Sequence, residues 1–136
     1  MKIIFYEKPN CAGNAKQKKL LTLNGISYET RSILDTPWNQ TLLNSFFEGL
    51  DTKDMINNFA PKIKNNEIEI TTISKNELIE LMMQEPILIK RPLLEIGETK
   101  ICGFDIKKIN QILHTNICEN ISISTCQSGS QCTNVL

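Results

Sequence analysis

The chain has 136 residues, a length that fits one domain with enough chain for a sizeable core. Its 15 basic and 15 acidic residues cancel, so charge gives no reason to expect nucleic acid or an anionic membrane as a partner. No apolar run reaches the roughly 18 residues of a membrane span, and the opening "MKIIFYEKPN" meets a proline and charges too early for a signal peptide. We therefore predict a cytoplasmic protein.

The first elements predict a crossover unit with two parallel strands. "KIIFY" (2–6) is a β-rich run, and the proline and asparagine of "EKPNC" end it. Strong helix formers then extend from Asn14 to Leu23. After a turn at "NG", the segment "SYETRSIL" reads as a second strand.

The middle of the chain reads as a helical insert. "TPWNQTLLNSFFEGL" predicts a helix begun by Pro37, and "DTKDMINNFAP" predicts a short helix capped by Asp51. "KIKNNEIEI" is polar and is expected to be exposed. Ser74 and Glu77 fit a capping box, in which each side chain satisfies a backbone donor, and the helix they open should stop before Pro86.

The last third predicts a hairpin followed by a helix. Two β-rich segments joined by "GET" indicate a hairpin from about Leu93 to Cys102, and Asp105 caps a helix with one apolar face. The order β-α-β, helical insert, β-β-α is the thioredoxin-like α/β arrangement, with a mixed four-stranded sheet. We assign it to residues 1–116. Residues 117–136 are rich in Ser, Thr, Asn and Gln and are expected to form a flexible tail.

Cys11 lies where the first strand gives way to the first helix. Free backbone N–H groups and the helix dipole stabilise an anion there, and this placement commonly lowers a thiol pKa from about 8.5 toward 7. Lys8 and Lys16 add positive charge, Glu7 opposes it, and Gly13 leaves the loop open. The alternative is a buried structural cysteine.

The rest of the chain determines whether Cys11 has a disulfide partner and whether the cysteines could bind a metal. Asn14 occupies the position of the second thiol in a CxxC motif, so a disulfide needs a partner from elsewhere. Cys102 alternates into an apolar strand and is expected in the core. Cys118, Cys126 and Cys132 match no paired zinc-ligand spacing, so no metal site is predicted.

Two stretches, "IIFYEKPNCAGNAKQKKLL" and "LMMQEPILIKRPLLEIGETKICGFD", resemble the arsenate reductase (ArsC)/Spx-like family of thioredoxin-fold proteins. The likeness runs from residue 1 to about residue 115. Within the family, "YEKPNC", "TPWNQTLLNSFF", "FAPKIK" and "ILIKRPLLEIG" look like the nitrogenase-associated subgroup. The resemblance implies a protein partner in the nitrogen-fixation machinery.

The resemblance also implies site roles. Cys11 falls on the family's nucleophilic cysteine. Arg91 falls on the arginine that precedes the thioredoxin-fold proline, in a turn that faces the cysteine, and Pro92 falls on that proline, which is expected to be cis and to help bind the substrate. Arg91 is otherwise a surface charge at a strand start. With these go Gly13 and Asn14 as substrate-binding residues of the Cys11 loop.

Arsenate is not the expected substrate. The additional arginines that hold the oxyanion in true arsenate reductases align with Asn57 and Gly103, and Asn14 and Ala15 replace a serine and an arginine after the cysteine. A doubly charged oxyanion needs several fixed guanidinium donors, and only Arg91 remains.

Three hypotheses follow. The first is thiol-redox chemistry at Cys11, with glutathione or another thiol as reductant, or with Cys126 or Cys132 as the resolving cysteine. The second is a non-catalytic binding or regulatory module that acts with nitrogenase or its assembly machinery. The third is a metal carrier that uses the tail cysteines.

Overall fold

The computed structural model describes residues 2–117. Within that range four strands and five α-helices alternate as β-α-β, a helical insert and β-β-α, which confirms the predicted order. The elements are β1 (Ile3–Glu7), α1 (Ala12–Leu23), β2 (Tyr28–Ser32), α2 (Gln40–Phe47), α3 (Pro61–Lys64), α4 (Lys75–Gln84), β3 (Leu93–Ile96), β4 (Thr99–Cys102) and α5 (Ile106–Leu113). Two short 3₁₀ turns, Thr52–Asp54 and Pro86–Leu88, lie in the insert and before β3.

The four strands form one mixed sheet in the order β2-β1-β3-β4. β1 pairs parallel with β2, and β3 pairs antiparallel with both β1 and β4. Tyr6 lies opposite Leu93, and Leu93 lies opposite Cys102. The carboxyl ends of β1 and β4 therefore meet at one edge of the sheet, and α1 and α5 both start there.

Helices cover both faces of the sheet, each over its own apolar core. Because side chains alternate along a strand, Phe5 of β1 packs on one face and Tyr6 on the other. The Phe5 face is covered by α1 and α5, with Leu21 and Ile109 fully buried. The Tyr6 face is covered by α2 and α4, which contribute the buried residues Leu43, Phe46, Phe47, Leu78, Ile79 and Met82.

Several predicted boundaries were wrong. α1 starts at Ala12 rather than Asn14, because Cys11 is its N-cap. α2 starts at Gln40 rather than Pro37, because the Asn39 side chain accepts the Leu42 N–H at 2.8 Å. The Asp51-capped helix is only the 3₁₀ turn Thr52–Asp54, with no hydrogen bond from the Asp51 side chain.

The insert holds one further correction and one confirmation. The polar run "KIKNNEIEI" is not merely exposed, because it includes most of α3 and its isoleucines Ile63, Ile68 and Ile70 pack against the core. Ser74 caps α4 as predicted, accepting the Glu77 N–H at 3.1 Å. The other half of the predicted capping box differs, because the Glu77 carboxylate accepts from the Ser74 hydroxyl at 3.0 Å and not from a backbone N–H.

The described chain ends in a packed segment. Ile117 is buried, and the Asn110 side chain accepts its N–H and donates to its carbonyl. Of the predicted tail, residues 117–136, only Ile117 is described, and the rest, including Cys118, Cys126 and Cys132, lies outside the described residues. Among residues 2–117, no helix has the length and apolar character needed to span a bilayer.

Candidate active site

A tight turn carries the chain from β1 to Cys11. The Cys11 N–H donates to the Lys8 carbonyl at 3.2 Å, which closes a four-residue turn. Pro9 occupies its second position, and Asn10 adopts a positive φ of 65° at the third. This is the pattern of a type II turn, which favours proline followed by glycine or asparagine. The turn fixes the direction in which the chain enters α1.

Cys11 is the N-cap of α1, and its sulfur does the capping. The Asn14 N–H donates to Cys11 Sγ at 3.5 Å, and the cysteine backbone is extended, with φ −86° and ψ 118°. Only 7% of the residue is exposed. The sulfur thus lies at the positive end of the helix dipole, next to a backbone donor, where a thiolate is stabilised.

Arg91 reaches the same sulfur from the loop before β3. Its Nε lies 3.4 Å from Cys11 Sγ, a contact between residues 80 positions apart. A guanidinium at this distance favours the thiolate over the thiol, because opposite charge stabilises the ionised form. The Arg91–Pro92 peptide bond is cis, as the resemblance implied.

Asn14 and Gly13 are both buried in the first turn of α1. The Asn14 Oδ1 accepts the Lys8 N–H at 3.0 Å, and its Nδ2 donates to Gln17 Oε1 at 2.9 Å. The expected open loop at Gly13 is therefore not observed. Substrate binding by these two residues stays a prediction.

Charged and apolar side chains surround the cysteine loop. Glu7, at the end of β1, is paired with Lys18 of α1, so its carboxylate is neutralised locally. Lys8 and Arg91 line a narrow crevice with Leu34 and Ile87. Sequence reasoning did not indicate that Leu34 borders this region, because Leu34 follows a strand with no fully buried residue.

Cys102 offers the opposite environment. It lies at the end of β4, packs against the core on the Tyr6 face, and places its sulfur 3.8 Å from the Asp54 carbonyl. Burial raises the pKa of the Cys102 thiol to about 12. This thiol stays protonated at neutral pH and is a poor nucleophile.

Residues 6–112 match the model of the ArsC family. This chain belongs to the ArsC family. A 15.7 kDa protein from the draG 3′ region of Rhodospirillum rubrum is 35% identical over 93% of this chain and 88% of its own length. The regulatory protein MgsR of Bacillus subtilis is 27% identical over 76% of this chain and 83% of its own length.

Solved structures share the fold. An ArsC-family-related protein from Bacteroides fragilis superposes with a TM-score of 0.70 at 28% identity, covering 82% of this chain and 98% of that protein. An arsenate reductase from Vibrio cholerae superposes with a TM-score of 0.66 at 20% identity, covering 85% and 98%. At that identity the likeness to the reductase concerns the fold alone.

The family resemblance predicts that Asn57 and Gly103 align with oxyanion-binding arginines, and neither position carries a guanidinium in this chain. Asn57 uses its amide internally, donating to the Ile87 carbonyl at 3.1 Å and accepting the Phe59 N–H at 3.0 Å. Gly103 adopts a φ of 95°, and a Cβ there would lie 3.4 Å from the Lys90 side chain.

No cluster of three His, Cys, Asp or Glu side chains that could hold a metal occurs among residues 2–117. The metal-carrier hypothesis depends on the tail cysteines, which fall outside that range. It therefore stays a prediction, as does the role of Cys126 and Cys132 as resolving thiols.

Proposed function

We propose that this ArsC-family protein carries out thiol–disulfide exchange through Cys11. The Cys11 thiolate attacks one sulfur of a substrate disulfide, forms a mixed disulfide and releases the other substrate sulfur as a thiolate. A thiolate of the reductant, glutathione or another thiol, then displaces the second substrate thiolate and stays bonded to Cys11. A second reductant thiolate attacks that bond, restores the Cys11 thiolate and leaves as the oxidised disulfide, so two reductant thiols supply the two electrons that reduce the substrate.

The contact between Arg91 and Cys11 supports this proposal most directly. A structural cysteine in a core has apolar neighbours, as Cys102 has, whereas Cys11 receives a backbone N–H at 3.5 Å and a guanidinium at 3.4 Å. Both groups stabilise negative charge on sulfur, and only the thiolate attacks a disulfide. We therefore assign Cys11 as the nucleophile and Arg91 as the residue that stabilises its anionic form.

Arsenate reduction is not part of the proposal. The Asn57 amide is committed to backbone groups, and Gly103 has no side chain, so neither position supplies a guanidinium. A single arginine already in contact with the cysteine is a weak holder for a doubly charged oxyanion. A disulfide substrate carries no such charge requirement.

The first prediction tests the anionic state of Cys11. We expect its alkylation by iodoacetamide, followed by mass spectrometry of the Cys11 peptide across pH, to give an apparent pKa below about 8.5. Arg91→Ala removes the adjacent cation and should raise that pKa. It should slow alkylation at neutral pH by about threefold or more.

The chain supplies a matched control in Arg31, its other arginine. Arg31 pairs with Glu29 and lies 5.9 Å from the Tyr6 ring centroid. Arg31→Ala makes the same change in net charge and should leave the alkylation of Cys11 unaltered. An ordinary thiol pKa in the wild type, or equal effects of the two variants, would refute the proposed role of Arg91.

A binding or regulatory module in nitrogen fixation is the second candidate function. The 35% identical relative is named for the draG 3′ region, MgsR is named as a regulatory protein, and the resemblance to the nitrogenase-associated subgroup supplies the link to nitrogen fixation. In such a module the loop that carries Cys11 binds a partner, and Cys11 performs no thiol–disulfide exchange. Cys11→Ser would then retain partner binding in a nitrogen-fixing extract, whereas thiol exchange would be lost.

A further inference from the structure

Asn14 holds the loop that carries Cys11 through a buried amide network. Its Oδ1 accepts the Lys8 N–H at 3.0 Å, and its Nδ2 donates to Gln17 Oε1 at 2.9 Å. Asn14 is 2% exposed and Gln17 is 1% exposed. Buried amides are retained only when their polar atoms are bonded, so this pair has a definite geometry rather than several alternatives.

The network acts on both ends of the turn before α1. Lys8 is the first residue of that turn and Cys11 is the last, joined by the bond from the Cys11 N–H to the Lys8 carbonyl. The Asn14 side chain holds Lys8, while the Asn14 backbone N–H donates to Cys11 Sγ. A single residue thus contacts both the start of the turn and the sulfur at its end.

We infer that Asn14 is a positioning residue for the Cys11 thiolate, with Gln17 fixing the orientation of the Asn14 amide. This inference rests on the proposed thiol chemistry of Cys11. It gives Asn14 a different role from substrate binding, since both polar atoms of its amide are bonded within the protein. In a CxxC motif the second thiol occupies the position of Asn14. Here Asn14 instead positions the first thiol, that of Cys11.

The geometry explains why removing the Asn14 side-chain amide should change the position of the Cys11 sulfur. Without the Asn14 side chain, the Lys8 N–H and Gln17 Oε1 each lose a partner, and nothing in this network keeps the turn against the helix end. The sulfur then spends less time on the axis of α1, where the dipole and the Asn14 N–H favour its anion. The Arg91 contact depends on the same placement, because its 3.4 Å distance is measured to that sulfur.

The test compares Asn14→Ala with Asn24→Ala. Asn24 caps the other end of α1, where its Nδ2 donates to the Leu20 carbonyl at 2.8 Å, so the control also removes one side-chain amide from the same helix. Two quantities are measured in the full chain: the pH profile of Cys11 alkylation and hydrogen exchange of the Lys8 amide. Urea unfolding reports the stability of both variants.

We expect Asn14→Ala to raise the apparent pKa of Cys11, slow its alkylation at pH 7 by about twofold or more, and speed Lys8 exchange about tenfold. Asn24→Ala should change neither, whatever its effect on stability. If the wild-type pKa is lowered and Asn14→Ala leaves it unchanged, the positioning role is overturned while the proposed function stands. If the wild-type thiol is ordinary, both are overturned.

A second variant covers the case in which Asn14→Ala does not fold. Gln17→Met keeps the volume of the side chain and removes the acceptor for Asn14 Nδ2, while the bond from Lys8 to Asn14 remains. A smaller shift of the Cys11 profile in the same direction supports the inference. A Cys11 profile identical to that of the wild type, in a variant of lowered stability, would show that the amide pair is only structural.

Discussion

Two cysteines at the same edge of the sheet have opposite chemistry, because different groups surround their sulfur atoms. Cys11 follows β1 and caps a helix beside a guanidinium. Cys102 ends β4, and burial raises its pKa to about 12. Helix dipole and charge favour the thiolate at the first position, whereas desolvation favours the thiol at the second. The residue type alone does not determine reactivity.

The raised pKa of Cys102 predicts a loss of stability at alkaline pH. An unfolded chain deprotonates this thiol near pH 9, whereas the folded protein keeps the proton until about pH 12. The stabilisation that the Cys102 thiol contributes to the folded protein is therefore fully present below pH 9. It is lost as the pH rises toward 12, because the unfolded state then binds fewer protons than the folded state. By about pH 10.5 the loss should reach about 2 kcal/mol.

Urea unfolding of the wild type and Cys102→Ala from pH 7 to 10.5 measures this contribution. Both proteins share every lysine and tyrosine, so the difference between their slopes isolates the Cys102 thiol. The variant is expected to be less stable at neutral pH, but its stability should fall less steeply at high pH. Parallel curves would show that the folded protein does not hold this proton.

Part of the site was readable from single residues. A cysteine between a β-rich run and a helix former locates the helix N-terminus, and "PNC" carries the signal of a type II turn, with Asn10 at its positive-φ position. The buried role of Gln17 was not readable, because it lies in the polar run "NAKQKK" and hydrophobic periodicity does not mark a buried amide. The contact between Arg91 and Cys11 spans 80 positions, and only family resemblance indicated it.

At the scale of elements, N-caps determine where the helices of the insert begin. Ser74 accepts the Glu77 N–H at 3.1 Å and donates to the Glu77 carboxylate at 3.0 Å. Ser74→Ala removes both bonds and leaves a backbone donor at the start of α4 without this partner. We expect it to lower the free energy of unfolding by about 1 kcal/mol.

Ser45 of α2 provides the comparison for that substitution. Its hydroxyl donates to the Leu42 carbonyl, which α-helical geometry already engages, so it does not cap the helix. Ser45→Ala should change the free energy of unfolding by less than about 0.5 kcal/mol in the same urea titration. Equal effects of the two serines would contradict a capping role for Ser74.

Element boundaries were harder to predict than the elements themselves. Pro37 and Asn39 both fit a helix start, and only the bond from Leu42 N–H to the Asn39 side chain selects the second. Ile68 and Ile70 alternate with Glu67 and Glu69, which is the period of a strand, but no strand forms there, and Ile63 lies in α3. Their partial burial depends on residues far along the chain, and no local pattern expresses it.

At the scale of the whole molecule, the sheet determines which parts of the chain meet at Cys11. β1 and β4 end at the same edge, so α1 and α5 start there, and the Gly103 N–H donates to the Pro92 carbonyl at 2.8 Å. α5 then runs away from this edge for eight residues, about 12 Å. The described chain ends at Ile117, which Asn110 holds against α5.

This geometry bears on the predicted resolving cysteines. Cys126 lies nine residues beyond Ile117 and Cys132 lies fifteen beyond it. If the tail is a flexible chain, as its composition predicts, these separations span roughly 15–18 Å and 19–23 Å. Both exceed the length of α5, which is a necessary condition for either thiol to reach the edge where Cys11 lies. Cys118 follows Ile117 directly in the sequence, so it lies only one residue beyond the described chain.

We therefore predict that oxidised glutathione induces an internal disulfide between Cys11 and Cys126 or Cys132. The tail thiolate displaces glutathione from a mixed disulfide on Cys11, so two protein thiols are oxidised and one oxidised glutathione becomes two reduced molecules. Closing this loop requires only a few kcal/mol of chain entropy, since that entropy grows slowly with loop length. Peptide mapping of the oxidised monomer identifies the pair of cysteines in the disulfide.

Two variants provide the controls. Cys118→Ser should leave the disulfide intact, whereas the double variant Cys126→Ser, Cys132→Ser should leave Cys11 as a glutathione adduct. A wild-type protein that yields only that adduct would show that the tail does not resolve Cys11.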